Sequence, residues 1–559
     1  MAKRLKKESN KTIYKIIVVL IFLIGIIMVL QYSGNYVVDE ITDKANLIIN
    51  NGNVTKSLKL DMFIDENETV YISKQDIENF FDPYVYYDEK YNQIITGSNT
   101  KIASIVVGSN EMYVNSSKVN ISAPIIEKEG EYYIPFSELD DVYNVDTQYI
   151  AENNVVVIDS LNRKYSIATS GKDNSVKYKP TGLSKTIDKI EKGEIVTIAN
   201  REDEESKDGW TRVRTDSGKI GYVKTKDLGT ENVIREAFEE TKKFEGTVSM
   251  VWDYFSESYY APDRSGTKIK GVNVVSPAFF SLEKLGKGEV YVNIDEPGKE
   301  YIEWAHNNGY EVWPMISNGS MIETTSEIMQ DYKLRESLIN KIVSYIVQYN
   351  LDGINIDFEN MYEEDKEYFS RFIIELEPRL NEIGAVLSVD VTAPDGGSTW
   401  SMCYDRYTIG QVADYIAFMA YDQHNSTTEG TTAGYDWVEA NINKFLGQEG
   451  VSAEKIILGI PFYTLLWVEG ETPYTVDVKD IDEVLPANVE KQWDEDLRQY
   501  YVEYEEDGLI HKMWIEDENT IGEKLNLVEK YKLAGAAYWT KDRESEEVLD
   551  VISEKLQID

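Results

Sequence analysis

Eight short apolar runs, separated by amphipathic segments, fill the chain from about residue 243 to its C-terminus. The runs are residues 247–252, 272–276, 311–316, 353–358, 385–391, 415–421, 456–461 and 534–539. Strand-like runs that alternate with helical periodicity predict repeated βα units and a parallel sheet. Eight units in roughly 300 residues predict an α/β fold, a (β/α)8 TIM barrel over residues 240–559, with catalytic residues at the C-terminal ends of its strands.

The fourth run places polar residues at alternate positions: Asn355, Asp357 and Glu359. Residues i, i+2 and i+4 of a strand point to one face, so two carboxyl groups and an amide converge. An acid-rich surface turn is the alternative interpretation, but the residues between them favour a strand that is buried on both sides. The intervening residues, expected to pack outward against helices, are Ile354, Ile356 and Phe358.

This stretch resembles the signature of glycoside hydrolase family 18, Asp-x-x-Asp-x-Asp-x-Glu, in which the last Glu is the proton donor. Asp352 matches the first position, Asp357 the third and Glu359 the last. The resemblance implies that Glu359 protonates the glycosidic oxygen while the substrate's 2-acetamido carbonyl attacks the anomeric carbon. It also implies that Asp357 holds the acetamido N–H and stabilises the oxazolinium-like charge. Asp352 is counted with the predicted substrate-binding residues.

Asn355 stands where this family usually has Asp. In the family pattern that second Asp shares a proton with the middle one, but an amide cannot ionise. We expect Asn355 to donate a hydrogen bond to Asp357 instead. We also expect burial and the Asp357 carboxylate to raise the pKa of Glu359. Activity is therefore predicted to survive with a shifted pH profile.

The sixth run ends in Met419-Ala-Tyr421-Asp422, which resembles the family's Met-x-Tyr-Asp motif. The resemblance implies that Tyr421 hydrogen bonds the acetamido carbonyl oxygen and that Asp422 holds the sugar from the other side. A buried tyrosine followed by a capping aspartate is the alternative. Trp539, at the end of the eighth run, matches a family tryptophan that forms the floor under the sugar.

Two more aromatic residues at predicted strand ends, Trp252 and Tyr463, are candidate sugar-stacking surfaces. An aromatic ring offers a flat apolar face to a pyranose, although any barrel end can carry a core tryptophan. Tyr463 follows an Ile-Pro-Phe segment similar to that of spore-cortex-lytic members of the family. We place both among the predicted substrate-binding residues.

Basic residues crowd the first fifteen positions, before an uncharged run over residues 16–38. An apolar span of about 20 residues crosses a bilayer, and a basic flank stays cytoplasmic. A cleaved signal peptide is the alternative, but no small-x-small site follows the apolar core. Residues 1–34 are therefore predicted to be a cytoplasmic tail and an uncleaved transmembrane anchor. This places the other domains outside the cell membrane, at the cell wall.

Two modules are predicted between the anchor and the barrel. Residues 35–165 contain an internal repeat of a short helix and a β-hairpin, beginning near residues 70 and 133. This repeat resembles the N-terminal, stalk-like domain of copper amine oxidases, and we predict a small α+β domain. Glycine-split runs within residues 170–230 resemble an all-β bacterial SH3-like barrel, a module that commonly binds peptidoglycan. The polar segment 230–244 is predicted to be a helical linker.

Composition excludes several function classes. The chain has 99 Asp plus Glu against 57 Lys plus Arg and a formal net charge of -42, so a nucleic-acid partner is excluded. A single cysteine, Cys403, allows no intrachain disulfide and points to a bacterial surface protein. Three scattered histidines, with no Cys at zinc-like spacing, disfavour a metal site, and no cofactor is predicted. The barrel sequence also lacks the nucleophile-elbow motif Gly-x-Ser-x-Gly, which disfavours a serine hydrolase.

The sequence thus predicts a membrane-anchored extracellular glycosidase. Its predicted partners are an N-acetylglucosamine polysaccharide such as peptidoglycan or chitin, peptidoglycan through the SH3-like domain, and the membrane through the N-terminal helix. A non-catalytic carbohydrate-binding wall protein is the main alternative, which Asn355 keeps open and Glu359 disfavours. A morphogenesis or germination factor that uses the barrel as a scaffold is the second.

Overall fold

Parallel pairing joins each of the eight apolar runs to the next and returns to the first, so the sheet closes into a barrel. The structure, a computed structural model, describes residues 44–200, 209–238, 243–284 and 287–558. The eighth strand pairs in parallel with both the seventh and the first. The barrel strands are Val248–Asp253, Val274–Pro277, Glu311–Val312 continued by Met315–Ser317, Gly353–Asp357, Val386–Val391, Tyr415–Met419, Ile456–Pro461 and Gly535–Trp539. The predicted (β/α)8 barrel is confirmed.

The third barrel strand is divided by a proline. Pro314 has no N–H to donate, so the ladder is interrupted there. The first half, Glu311–Val312, pairs with the second strand, and the second half, Met315–Ser317, pairs with the fourth. The carbonyl of Pro314 still accepts a hydrogen bond of 3.0 Å from the N–H of Asn355. The two halves therefore act as one strand of the closed barrel.

Helices cover the outside of the barrel, and capping residues fix where many of them begin and end. In the connection between the third and fourth strands, the side chain of Asp331 accepts hydrogen bonds from the first turn of Tyr332–Tyr349, and left-handed Asn350 ends that helix. The α-helices of this unit are Glu296–Asn307, Ile322–Gln330, Tyr332–Tyr349, Lys366–Ile383, Arg406–Val412, Tyr435–Gly447, Ile481–Val484, Glu518–Tyr531 and Glu546–Leu556. Single 3-10 turns occupy Glu363–Asp365, Ala453–Lys455 and Val478–Asp480.

Apolar residues of the barrel strands form two separate layers. Side chains such as Met250, Trp313 and Ala537 fill the barrel interior. Alternate residues, such as Ile354 and Phe418, pack outward against the helices in a much larger cluster. This period-two division is what a parallel sheet buried on both faces requires.

A five-stranded antiparallel sheet follows the seventh barrel strand directly. Its first strand, Tyr463–Val468, begins two residues after that barrel strand ends, so Tyr463 is delivered to the C-terminal end of the barrel. The remaining strands of this insertion sheet are Tyr474–Asp477, Gln492–Asp494, Gln499–Glu506 and Leu509–Ile515. A second small hairpin, Phe280–Leu282 with Val290–Val292, attaches beside the third barrel strand.

The chain forms a second compact unit before the barrel, ending near residue 240. Both copies of the predicted repeat follow the order strand, helical segment, hairpin. The strands are Asn46–Ile49, Gly52–Asn53, Phe63–Ile64, Val70–Ser73, Tyr86–Asp88, Gln93–Gly97, Ile102–Val106, Glu111–Val114, Ser117–Asn120, Ile126–Lys128, Glu131–Pro135, Val145–Ile150 and Val155–Ser160. The helical segments are Thr55–Ser57, Lys74–Phe80, Phe136–Leu139, Asp140–Tyr143 and Ala151–Asn153.

The prediction of an α+β domain over residues 35–165 is wrong. Three sheets build this region, and its helical segments only connect strands. The longest, Lys74–Phe80, has seven residues, begins at the Ser73 cap and ends just before Pro83, which cannot continue a helix. Strand pairing therefore dominates a region whose repeated helical signals are real but short.

A seven-stranded antiparallel sheet occupies most of residues 165–235. Its strands are Tyr165–Thr169, Asn174–Lys177, Thr186–Ile190, Ile195–Ile198, Trp210–Arg214, Ile220–Lys224 and Asn232–Arg235. A single 3-10 turn, Thr225–Asp227, lies between the last two of them. The last strand corrects the predicted helical linker, because residues 232–235 pair with the first strand of this sheet. Branched Val233 and Ile234 favour such pairing over a helix.

The predicted transmembrane anchor, residues 1–34, lies outside the described residues. Within the ranges that the structure describes, no helix has the length and apolar character to cross a membrane.

Barrel closure depends on a glycine. A Cβ added at Gly535 would lie 1.8 Å from the carbonyl oxygen of Val248, its partner in the first strand. We expect Gly535→Ala to cost about 3 kcal/mol or more, because the backbones of strands one and eight must separate. Gly447→Ala is the matched control, because a Cβ there meets nothing within 4 Å. Thermal unfolding measures both, and equal unfolding temperatures would contradict this account of closure.

Candidate active site

The fourth barrel strand places its side chains as the alternation predicts. Ile354, Ile356 and Phe358 are fully buried in the outer layer. Phe358 stacks on Phe372 of the covering helix with ring centroids 5.8 Å apart. The other face of the strand is therefore turned to the barrel interior, where Asn355 is completely buried.

Glu359 follows this strand, and its backbone is held on both sides. Its N–H donates to Asn318 Oδ1 at 3.1 Å, and its carbonyl accepts from Asn318 Nδ2 at 2.8 Å. The hydroxyl of Tyr404 donates to the carbonyl of Phe358 at 2.8 Å. Sequence reasoning missed Asn318 and Tyr404. The position of Asn318, directly after the third barrel strand, was the one signal for it.

Burial and like charges raise the pKa values of Asp357 and Glu359. Burial, then the charges of Asp357 and Asp422, raise the pKa of Glu359 to about 8. Burial and the neighbouring Asp390 raise the pKa of Asp357 well above its usual range. A pKa near 8 leaves Glu359 protonated at neutral pH, and the expected causes of the shift are both present.

Asn355 does not make the predicted hydrogen bond to Asp357. Its Nδ2 donates to Asp390 Oδ1 at 2.7 Å and to Ser388 Oγ at 3.2 Å, and its Oδ1 accepts from Trp252 Nε1 at 2.9 Å. The prediction is wrong because the inward side chains of the fourth strand meet those of neighbouring strands. Asp390 and Ser388, on the fifth strand, were not identified from the sequence, because no motif includes them.

The sixth strand brings its motif to the same place. Met419 lies on the interior side and is buried, while Asp422 follows the strand end and is exposed. Burial raises the pKa of Tyr421 well above its usual range, so its hydroxyl remains a hydrogen-bond donor. The hydroxyl of Tyr463 donates to Asp422 Oδ1. Buried Tyr463 thus orients Asp422, in place of the predicted sugar-stacking role.

The eighth strand ends in Trp539, which is partly exposed at the cleft. Its ring centroid lies 5.7 Å from that of exposed Tyr254 and 5.9 Å from that of Trp252. The prediction of Trp252 as a sugar-stacking surface is wrong, because this side chain has no exposed surface. Trp252 points inward one residue before the end of the first strand, where it reaches Asn355.

Asp352 lies at the opposite end of the barrel from Glu359. One oxygen of its carboxylate contacts His306 Nε2 at 2.8 Å and the N–H of Val312 at 2.9 Å. Asp357 lies five positions further along the chain, about 16 Å away at the rise of a β-strand. The prediction that Asp352 binds substrate is therefore wrong. Its role is to tie the start of the fourth strand to the third.

The C-terminal end of the barrel thus combines a protonated acid, a second carboxyl group on the same face, a tyrosine hydroxyl and a partly exposed tryptophan ring. This set can protonate a leaving oxygen and stabilise a nearby positive charge. Among the described residues, no three His, Cys, Asp or Glu side chains are grouped so as to hold a metal ion.

Known proteins resemble both parts of the chain. A sequence model described as "Copper amine oxidase N-terminal domain" matches residues 48–158. The uncharacterized glycosylase YvbX of Bacillus subtilis (strain 168) is 27% identical over 293 residues, 49% of this chain and 82% of YvbX. A cortical fragment-lytic enzyme of Bacillus anthracis is 25% identical over 244 residues, 40% of this chain and 54% of that protein.

The solved structure of a chitinase from Chromobacterium violaceum ATCC 12472 shares the fold. It is 22% identical with a TM-score of 0.50, and the match covers 56% of this chain and 99% of the chitinase. The model described as "Glycosyl hydrolases family 18" matches residues 250–544, which is more than half of the sequence and includes every residue of the cleft described above. The chain therefore belongs to family 18 of the glycosyl hydrolases.

Proposed function

We propose that this protein is a membrane-anchored extracellular glycosidase that cleaves β-linked N-acetylglucosamine polymers with retention of configuration. One observation carries the proposal: Glu359 is held as a protonated acid beside Asp357 on the interior face of a closed barrel. A carboxyl group in this state is suited to protonating a glycosidic oxygen.

The reaction needs no nucleophile from the protein. Glu359 gives its proton to the departing oxygen while the substrate's own 2-acetamido carbonyl attacks the anomeric carbon. Asp357 accepts the acetamido N–H and stabilises the oxazolinium charge. Tyr421 donates its hydroxyl to the acetamido carbonyl, and Trp539 supports the sugar ring from below. Water then opens the intermediate, and Glu359 recovers its proton.

Peptidoglycan is the substrate we favour over chitin. The relatives include a cortical fragment-lytic enzyme and a chitinase, so polymers of both kinds are compatible with the family. The module upstream of the barrel favours the cell-wall polymer, peptidoglycan, as the substrate. Residues 165–235 form a small antiparallel sheet with its own core, which consists of Val176, Ile190, Val196, Val213 and Val223. We interpret this sheet as an SH3-like, peptidoglycan-binding domain.

Within the N-terminal unit, this sheet is fixed to the stalk by ionic and polar contacts. Arg214 Nη1 donates to Asp159 Oδ1 at 2.9 Å and to Asn51 Oδ1 at 2.7 Å. Both charged side chains are largely buried, and removing one partner of such a pair leaves an uncompensated charge. A stalk joined to a wall-binding module in this way would act as a firm spacer.

The basic, apolar N-terminus is proposed to anchor this assembly in the cell membrane with the N-terminus cytoplasmic. The positively charged flank and the uncharged run of residues 16–38 support it. Membrane fractionation of the full chain, compared with a chain that lacks residues 1–43, tests the proposal. Equal recovery of both in the soluble fraction would contradict it.

Hydrolysis of purified peptidoglycan, with mass spectrometry of the products, tests the activity. We expect new reducing ends with the wild type and a loss of about 1000-fold with Glu359→Gln, because the variant cannot donate a proton. Soluble N-acetylglucosamine oligomers should be cleaved to products that first appear as the β-anomer. Their de-N-acetylated counterparts are the matched substrate control. We expect no cleavage of these, because they lack the attacking carbonyl.

Two outcomes would contradict this activity. Cleavage of the de-N-acetylated oligomers would exclude the substrate's acetamide as the nucleophile. Binding of the polymer by both wild type and Glu359→Gln without release of product would identify a non-catalytic wall-binding protein.

The pH profile reports the state of the acid. Since the pKa of Glu359 is raised to about 8, the proton is present below that value and kcat/KM falls as pH rises through it. Asp422→Asn removes a charge that raises this pKa, so we expect the alkaline limb to move down by roughly half a unit. Asp550→Asn, an exposed acid on the last helix, makes the same charge change and should leave the limb in place. An unmoved limb in Asp422→Asn would contradict this electrostatic role.

Wall binding is tested by co-sedimentation. We expect a fragment of residues 44–238 to sediment with insoluble peptidoglycan and not with chitin, because the SH3-like sheet is proposed to recognise the peptide. Full-length Glu359→Gln, which binds without cleaving, is the positive control. If only the full-length variant sediments, binding resides in the barrel and the spacer interpretation alone remains for residues 165–235.

A further inference from the structure

Asp390 is a buried carboxyl group at the centre of the site that has no part in the scheme above. It lies on the fifth barrel strand and is 2% exposed. Its Oδ1 accepts a hydrogen bond from Asn355 Nδ2 at 2.7 Å. A carboxyl group buried in this way is costly to ionise unless its charge is paired and hydrogen-bonded.

Strand register puts Asp390 next to Asp357. In the parallel pairing of the fourth and fifth strands, Asn355 lies opposite Ser388 and Ile356 opposite Val389. The next pair along the same register is Asp357 with Asp390, on strands about 4.8 Å apart. Both side chains belong to the interior face, since Ile356 and Val389 pack in the outer layer. The two carboxyl groups are therefore neighbours across the barrel interior.

Trp252 determines the orientation of the Asn355 amide relative to this pair. An indole N–H can only donate, so the amide atom that faces it must be the oxygen. The hydrogen bond from Trp252 Nε1 to Asn355 Oδ1 is 2.9 Å long. The NH₂ group of Asn355 is then directed to Asp390. Asn355 thus supplies a donor to Asp390 and leaves Asp357 without a side-chain hydrogen bond among the described residues.

We propose that Asp390 is the proton-sharing partner of Asp357, and that it performs from the fifth strand the function that the family signature gives to an aspartate at position 355. This inference rests on the proposed function, because Asp357 acts there on the substrate. Asp390 touches no substrate in this scheme and is a positioning residue.

The proton balance is simple. The pair holds one proton and one negative charge, because two adjacent carboxyl groups in a buried site do not both ionise. Asp357 is the carboxylate when it accepts the acetamido N–H, and the proton stays on Asp390. Asn355, which donates to Asp390 Oδ1, leaves the other oxygen to carry that proton. No external acid or base is consumed.

The charges around Asp390 agree with this assignment. Burial raises its pKa, hydrogen bonding to Asn355 and Trp252 opposes that effect, and the charge of Glu359 adds to it. Asp390 in turn raises the pKa of Asp357. The titratable groups that face Asp390 are Asp357 and Glu359 from the fourth strand and Tyr421 from the sixth.

A swap of the two residues tests the proposal with matched chemistry. Asp390→Asn keeps the shape but removes the shared proton, so we expect kcat to fall by about tenfold or more, since one pKa unit is worth that factor. KM should change by less than about threefold, because Asp390 does not contact substrate. The double variant Asn355→Asp with Asp390→Asn restores one carboxyl beside Asp357, and its kcat should return to within about threefold of wild type.

Two further variants separate this role from a structural one. Ser388→Ala also removes a partner of Asn355 but no carboxyl group, and we expect a smaller loss of kcat than in Asp390→Asn. Asn355→Asp alone adds a third carboxyl to the pair and should move the pH–rate profile. An unchanged profile, or a double variant no more active than Asp390→Asn, would overturn the proposal.

A readout without substrate keeps this test independent of the proposed activity. The pKa values of Asp357 and Asp390 are raised in the folded protein, so the stability they provide is full below the unfolded value and is lost as pH rises through the folded values. As pH rises above about 4, the unfolding temperature of Asp390→Asn should therefore fall less than that of wild type, and the double variant should match wild type.

The two kinds of failure are distinguishable. If no variant and no wild type cleaves any polymer, the proposed function fails, while the unfolding temperatures still decide whether the carboxyl pair exists. Identical pH dependence of unfolding in wild type and Asp390→Asn would overturn the pair, whatever the activity.

Discussion

Four carboxyl groups meet at the C-terminal end of this barrel: Asp357, Glu359, Asp390 and Asp422. A cleft walled by protein cannot hold all four as anions, because burial and mutual repulsion both favour the protonated forms. The pKa of Glu359 rises to about 8 for these two reasons, and those of Asp357 and Asp390 rise for the same ones. Retained protons are thus a consequence of the crowding, and acid catalysis needs a retained proton.

Carboxyl groups this close together keep their positions only where the surrounding structure is rigid. The fourth strand is fixed from outside by Ile354, Ile356 and Phe358, which are completely buried among the helices. Asn318 then binds the backbone of Glu359 at both its N–H and its carbonyl. The packing of one face therefore determines where the carboxyl groups of the other face lie. Glycine at position 535 permits the close strand contact that closes the whole barrel.

The parts of this structure that depend on local pattern could be predicted from the sequence. All eight barrel strands coincide with apolar runs, and the inward and outward faces of the fourth strand follow from its alternation. The prediction for residues 232–235 failed because polar neighbours suggested a helix, whereas pairing with the strand Tyr165–Thr169 decides the conformation. Trp252 was misjudged because its position along a strand shows where it lies but not how deeply it is covered.

Contacts between side chains of neighbouring strands could not be predicted from the sequence, and these contacts determine the chemistry of the site. Asp352 lies in the same motif as Glu359 but at the other end of the barrel, whereas Asp390, 35 residues from Asn355, is its direct hydrogen-bond partner. A barrel interior is built in layers, with side chains of neighbouring strands meeting at one height. Either of two neighbouring strands can therefore supply a carboxyl group to the same layer of the site. An amide at position 355 removes the carboxyl group from the sequence motif, yet Asp390 keeps a carboxyl group in the layer where Asp357 acts.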